Sequence, residues 1–164
     1  MIGENKVIFG KEKTVETLQY DMLDESQLSI FYPKIQEFLN QVNQIVLDKN
    51  QQTQLALCSL LAGGHILFED LPGLGKTTLA SSLAHLAGLQ FKRIQFTNDM
   101  LASDVIGVNM FNQKEHLFEF KQGPIFTQIL LADEINRCSP KTQSALLEAM
   151  EEGVVTIDAS RYVL

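Results

Sequence analysis

The stretch FEDLPGLGKTTLA, from Phe68 to Ala80, decides the fold. Its second half, running through Gly73, Gly75, Lys76 and Thr77, has the form of a loop that binds phosphate. In such a loop the backbone N–H groups point inward at phosphate oxygens, and the positive end of the following helix adds to their pull. Gly73 and Gly75 let the backbone curl around a ligand with no Cβ in the way. Lys76 would reach the β and γ phosphates, and Thr77 would place its hydroxyl on Mg²⁺. One position departs from the general pattern G-x-x-x-x-G-K-[ST], which wants glycine where this chain has Asp70.

The pattern has chemical meaning only between a strand and a helix. Upstream, HILFE (residues 65–69) is a short apolar run expected to be that strand. Downstream, residues 76 to about 87 are expected to be helical, with Leu79, Leu83, Leu86 and Ala87 facing the core and Gly88 ending the helix. A second motif supports the first. QILLADE (residues 128–134) ends an apolar run in two acids, Asp133 and Glu134, at the strand edge where open α/β sheets bind ligands. In a P-loop enzyme the first acid holds Mg²⁺, usually through water, and the second orients and deprotonates the attacking water. A lone pair of acids would be read as solvated groups closing a buried strand. Downstream of a phosphate loop, after one intervening strand, the pair sits where hydrolysis needs it.

The other elements follow from local pattern. Residues 1–33 are weakly periodic and end in FYP, where Pro33 favours a break, so they are set apart as an N-terminal extension with room for one short helix. From Lys34, the residues Ile35, Phe38, Leu39, Val42, Ile45 and Val46 fall on one face of a helix. A second helix covers about 51–62 and stops at Gly63 and Gly64. FKRIQF (91–96) alternates as a strand does, and a short helical stretch follows near 100–105. VNMF and HLFEF flank Asn112 to Glu115 as a hairpin over about 108–121, closed by QGP. Ser139 before Pro140 is a strong helix start, and that helix runs to about Glu152. VVTIDASRYVL suggests another hairpin. Strands alternating with helices argue for an α/β sheet covered on both faces.

Bulk properties set bounds. At 164 residues the chain fits one domain, and its 45% hydrophobic content with mean hydropathy of +0.02 is that of a globular protein. A net charge of −7 and a pI near 4.9 argue against non-specific binding to nucleic acid or to anionic membranes. Cys58 and Cys138 have no metal-like spacing and are read as reduced thiols. The N-terminal MIGENKVIFGKEK has no apolar core and so is no signal peptide. The apolar run from Leu55 to Phe68 is broken by Ser59, Gly63, Gly64 and His65, too short to span a bilayer. The expected location is cytoplasmic.

From about Ile35 to the C-terminus the chain resembles the MoxR family of AAA+ ATPases, almost continuously. The carriers are Arg93 to Thr97, Ser103 to Val105 with Gly107, Gly123 with Pro124, Asp133 to Arg137, and Lys141 to Glu148. That family accommodates Glu69 to Gly73 in its nucleotide loop, so Asp70 becomes a mark of the subgroup. The resemblance implies a P-loop NTPase with the AAA+ three-layer α/β/α core over 34–164 and a β-hairpin insertion. It implies ATP and Mg²⁺ as ligands. Pro72, Gly73, Leu74, Gly75, Lys76, Thr77 and Thr78 would bind the nucleotide, Thr77 and Asp133 the metal, and Lys76 and Glu134 would be catalytic. Family members assemble as hexameric rings and remodel or mature client complexes, often beside von Willebrand factor A-type proteins. The implied function is Mg-dependent ATP hydrolysis by such a chaperone-type motor, with no nucleic acid and no membrane insertion. The alternative is a nucleotide-binding interaction module, or inactive fragment, without turnover. A small-molecule kinase fits less well, because the acid pair is followed by Asn136 and Arg137 and no phosphoacceptor site is visible.

The hairpin aromatics Phe111, Phe118 and Phe120 are candidate contacts to a pore or partner, or else pack on the core. Arg137 is read as a structural residue at a helix start, not as an arginine finger. Some positions depart from the family. Asp48 stands where the adenine-contacting segment carries glycine, with Val46 and Leu47 beside it as base contacts, and the hairpin tip lacks its usual glycine. Residues 1–33 have no counterpart. The chain ends at Leu164, before the strand with the sensor-1 asparagine, the arginine finger and the helical lid. In this core the two later strands flank the P-loop strand on both sides. HILFE is therefore expected to have unpaired backbone groups, leaving the chain unstable alone or drawing residues 154–164 or the extension into the gap.

Overall fold

The computed structural model describes residues 24–69 and 75–164, and the chain divides into two units, Met1–Ile35 and Gln36–Leu164. In the first unit a helix starts at an Asp-x-x-Gln box. The Asp24 carboxylate accepts from Ser26 Oγ at 2.6 Å and from the Gln27 N–H at 2.8 Å, while Gln27 Oε1 accepts from the Asp24 N–H at 3.1 Å. The Ser26 hydroxyl, then the Gln27 amide, hold the Asp24 carboxyl below its ordinary pKa. This helix, α1 (Glu25–Ile45), contains Pro33, so the break expected there does not occur. Proline inside a helix frees the carbonyl four residues back. Here that carbonyl belongs to Ser29, which is exposed and can bond to water instead.

In the second unit, α2 (Asn50–Leu61) and α3 (Lys76–Leu86) pack with the second half of α1. Val42, Val46, Ala56, Leu79 and Leu83 form one buried cluster, joined by Phe38 and Phe68. The chain then runs through β1 (Phe91–Gln95), α4 (Ala102–Ile106), β2 (Gly107–Asn112), β3 (Leu117–Gln122) and β4 (Ile129–Asp133). A 3-10 turn (Ile135–Arg137) leads into α5 (Pro140–Glu152), then β5 (Val154–Ile157) and β6 (Ser160–Val163). As its sequence requires, α5 starts at Ser139, whose Oγ accepts from the Thr142 N–H at 3.2 Å.

β1 and β4 pair in parallel, with Phe91 opposite Ile129 and Gln95 opposite Asp133. Alternation along the pair sets its two faces. Ile94 and Phe96 enter a second buried cluster with Val105, Leu146 and Val155, against which Leu130 and Ala132 also pack. Arg93, Gln95, Leu131 and Asp133 therefore belong to the opposite face. Helix α3 contacts both strands and contributes nothing to that second cluster, so it covers the face with Arg93 and Asp133. The result is layered, helices on both sides of a parallel pair.

The strand expected at residues 65–69 does not form a ladder. Among the described residues β4 pairs only with β1. A cavity of about 1140 Å³ is lined by Ile66 and Leu67 together with Leu130, Ala132, Val163 and Leu164. A strand needs a neighbour to take up its N–H and C=O groups, and here that neighbour is replaced by space. Leu67 is accordingly 76% exposed. Residues 154–164 do not enter the gap as a strand. They make their own hairpin, β5 with β6, and Val163 and Leu164 only line the cavity.

That hairpin turns through Asp158 and Ala159, both in the left-handed region at φ 46° and 66°. Two positive-φ residues make a type I′ turn, for which Asp-Gly is the preferred pair. Ala159→Gly is therefore expected to raise stability by about 0.5–1 kcal/mol in urea unfolding, since it removes a strained Cβ. A loss of stability would show that the turn is not strained. The other hairpin, β2 with β3, does without the usual tip glycine by a different route. Asn112 Oδ1 accepts from the Lys114 N–H at 3.0 Å, and His116 takes the left-handed conformation at φ 55°.

Candidate nucleotide site

Helix α3 opens from Gly75, at φ 81°, whose carbonyl accepts from the Leu79 N–H at 2.8 Å. Lys76 is therefore the first helical residue, with Thr77 beside it half-buried and Thr78 exposed. Pro72, Gly73 and Leu74, named above as nucleotide contacts, lie outside the described residues, as does Asp70. Gly75 and Lys76 line a cavity of about 270 Å³ together with Val46, Ala56, Phe68 and Leu79. Apolar walls with a lysine at the mouth of a helix suit a flat base joined to phosphates. Of the two residues expected to touch the base, Val46 lines this cavity, whereas Leu47 is 72% exposed and does not. Asp48, in place of the family's glycine, stands at φ 57°. Aspartate is among the few side chains that tolerate this region, so the turn after Val46 keeps a glycine-like backbone.

The two acids are placed by β4 and the turn that follows it. The Asp133 carbonyl accepts from the Phe96 N–H at 2.9 Å, which ties the strand end to β1. Its carboxylate meets Arg93: Nε and Nη2 both reach Oδ2, each at 2.7 Å. Glu134 adopts φ 57° and ψ 38°, an uncommon conformation for a side chain other than glycine or asparagine and one that clusters at functional sites. Its carboxylate accepts from Arg137 Nε at 3.2 Å. Arg137 thus lies in the short turn before α5, where a structural role was expected, and it also engages the acid expected to be catalytic.

Helix α5 holds this turn from behind. Gln143 Nε2 donates to the carbonyls of Ile135 and Cys138, each at 3.4 Å, and Cys138 Sγ donates to the Ile135 carbonyl at 3.0 Å. Buried Thr142 donates to the Met100 carbonyl at 3.3 Å. The resemblance pointed to Gln143 without a role, and its amide proves to brace the Glu134 turn. Arg93 was missed as a partner of Asp133. The available signal was the alternation of FKRIQF, which puts Arg93 opposite to Ile94 and Phe96.

The three hairpin aromatics separate. Phe120 stacks on Tyr162 at 3.9 Å between ring centroids and meets Phe126 edge-on, so it packs on the core. Phe111 and Phe118 pair with each other at 5.3 Å and remain exposed.

Among the described residues no three His, Cys, Asp or Glu side chains gather to hold a metal. Asp133, with Oδ1 taking no hydrogen bond among the described residues, offers one ligand oxygen. That donor set fits Mg²⁺, which is commonly held by one or two carboxylates, waters and phosphate oxygens rather than by a protein cage. Among the described residues no helix is long and apolar enough to cross a membrane.

As a class, this arrangement is a P-loop α/β domain. Residues 65–164 match the ATPase family associated with various cellular activities (AAA). The chain is 54% identical over 127 residues to the protein YeaC of Bacillus subtilis, covering 77% of this chain and 40% of that one. It is 42% identical over 117 residues to the chaperone MoxR1 of Mycobacterium tuberculosis, covering 71% and 31%. The crystal structure of a candidate ATPase from Cytophaga hutchinsonii superposes with a TM-score of 0.70 at 44% identity, covering 85% of this chain and 42% of that one. The chain belongs to the MoxR group of AAA ATPases, and it spans less than half the length of these relatives.

Proposed function

We propose that the chain binds ATP with Mg²⁺ and hydrolyses it, as part of a chaperone-type ATPase that remodels or matures client protein complexes. The observation that carries this reading is the packing of α3 on β1 and β4, which joins the element bearing Lys76 to the strand ending in Asp133. Lys76 and Thr77 would hold the phosphates and the ion, with Pro72, Gly73, Leu74, Gly75 and Thr78 completing the loop, and Asp133 would complete the metal site. When bound, Mg²⁺ supplies charge neutralisation on the phosphate oxygens. Glu134 would take the proton of the attacking water. AAA proteins commonly work as rings. Here we propose hexameric self-association, a von Willebrand factor A-type partner, no nucleic-acid ligand and a cytoplasmic setting. We place the boundary of the N-terminal extension at residue 33.

The second reading is a nucleotide-binding module without turnover. The Arg137 contact favours it, because a Glu134 carboxylate oxygen already accepting from a guanidinium is not free to orient an attacking water. Steady-state phosphate release, with Glu134→Gln as control and retained ATP measured in parallel, separates the two. Release above the control supports hydrolysis. Binding with release no higher than the control leaves the module reading, and absence of binding removes both.

A further inference from the structure

We propose that Arg93 is a positioning residue for Asp133: it pins one carboxylate oxygen and thereby presents the other to the hydrated divalent ion of a bound nucleotide. The inference rests on the nucleotide-binding reading above and adds a residue to it.

The argument is geometric. Asp133 closes β4, and its backbone is fixed through the Phe96 N–H. What remains free is rotation of a short side chain. Arg93 stands two residues back from Gln95, the register partner of Asp133, so its long side chain must extend along the sheet face to reach the carboxylate. Two donors of one rigid guanidinium converge on Oδ2, and among the described residues Oδ1 takes no hydrogen bond. A carboxylate held at one oxygen has its other oxygen aimed. An ion that binds through water rewards such aim, because partners of a ligand tune metal affinity without touching the metal. The side chain of Asp133 is only 24% exposed while that of Arg93 is 48% exposed, so the acid is the more inward of the two and the arginine reaches it from a more exposed position. The pair is too exposed to matter much for folding.

A guanidinium beside a metal-binding carboxylate could instead compete with the ion, and the two roles predict opposite signs. The test titrates the 164-residue chain with ATP, once with Mg²⁺ and once with EDTA, and reads the ratio of the two affinities. In Arg93→Met the ratio is expected to fall about tenfold, the size typical for loss of a partner of a metal ligand, while affinity in EDTA stays unchanged. Arg93→Lys should restore part of the ratio. In an Asp133→Asn background, Arg93→Met should cause no further loss. Melting curves confirm that the variants fold, and Arg93→Gln serves if the methionine variant does not. An unchanged ratio overturns the proposal by reducing the pair to a surface contact, and a raised ratio overturns it in favour of competition. If the unsubstituted chain binds no ATP in either buffer, the nucleotide reading fails and takes this inference with it. If it binds with a Mg²⁺ gain that Arg93→Met leaves intact, only this inference fails.

Discussion

Replacing Lys76 with alanine is expected to weaken ATP binding by about ten- to a hundredfold while leaving the melting curve nearly unchanged. A hydrogen bond to a charged group contributes about 1.5–3 kcal/mol, and each 1.4 kcal/mol is a factor of ten in affinity. Lys76 is the first residue of α3 and lines the cavity beside Gly75, so its side chain acts at the mouth of the site and not in a core. Alanine is the best helix former, and α3 is held by Leu79 and Leu83 in the first apolar cluster. Calorimetric titration with ATP, beside thermal melting, checks both halves. Unchanged ATP affinity in a folded variant would remove Lys76 from the phosphate site.

The second large effect is structural. Gly123→Ala is expected to destabilise the chain by about 3 kcal/mol, the upper end of the usual range for a forced overpacking, against a typical total of about 5–15 kcal/mol. A Cβ at Gly123 would fall on the backbone carbonyl of Val105, with the Gly107 nitrogen 2.6 Å away. Both obstacles are backbone, so no side chain can move aside. Here the end of α4 and the end of β3 pass each other at a distance only glycine permits. Gly153→Ala is the matched control. Gly153 is left-handed at φ 64° but has nothing within 4 Å of a new Cβ, so only conformational strain of about 1 kcal/mol is expected. Urea unfolding of the two variants distinguishes crowding from strain. Equal losses would show that crowding at Gly123 is relieved at no cost.

Much of the fold was legible because its signals are local. Ser139 with Pro140 marks the start of α5, and Gly63 and Gly88 stand just past α2 and α3. The alternation of FKRIQF and the apolar run into Asp133 give β1 and β4, and both hairpins fall where turn residues interrupt apolar stretches. Pro33 misled: it costs α1 one hydrogen bond and crowds the Ser29 carbonyl, but Ser29 is exposed, where that carbonyl can turn to water. Residues 65–69 read as a strand whose backbone lacks neighbours, and that lack keeps them from forming a ladder. Their composition suits a strand, but a ladder needs a second strand within hydrogen-bond reach, and a cavity lies there instead. Of the site, Gly75, Lys76, Thr77, Asp133 and Glu134 were read from residue type and spacing. Gln143 and Arg93 acquire roles only through contacts in space.

The sequence by itself determined most of the helices and both hairpins, where the phosphate-loop pattern and the acid pair stand, and which family they resemble. Each of these rests on residues within a few positions of one another. Only the tertiary structure decided that Arg93 answers Asp133, that Gln143 braces the turn of Glu134, and that Phe120 packs inward while Phe111 and Phe118 stay outside. These outcomes depend on strand register and on which helix covers which face. Such relations are set by the packing of distant segments; local alternation gives the face a residue is on, as for Arg93, but not the partner it meets there. FEDLPGLGKTTLA names the chemistry, and the parallel pair beside it sets which side chains stand around that chemistry.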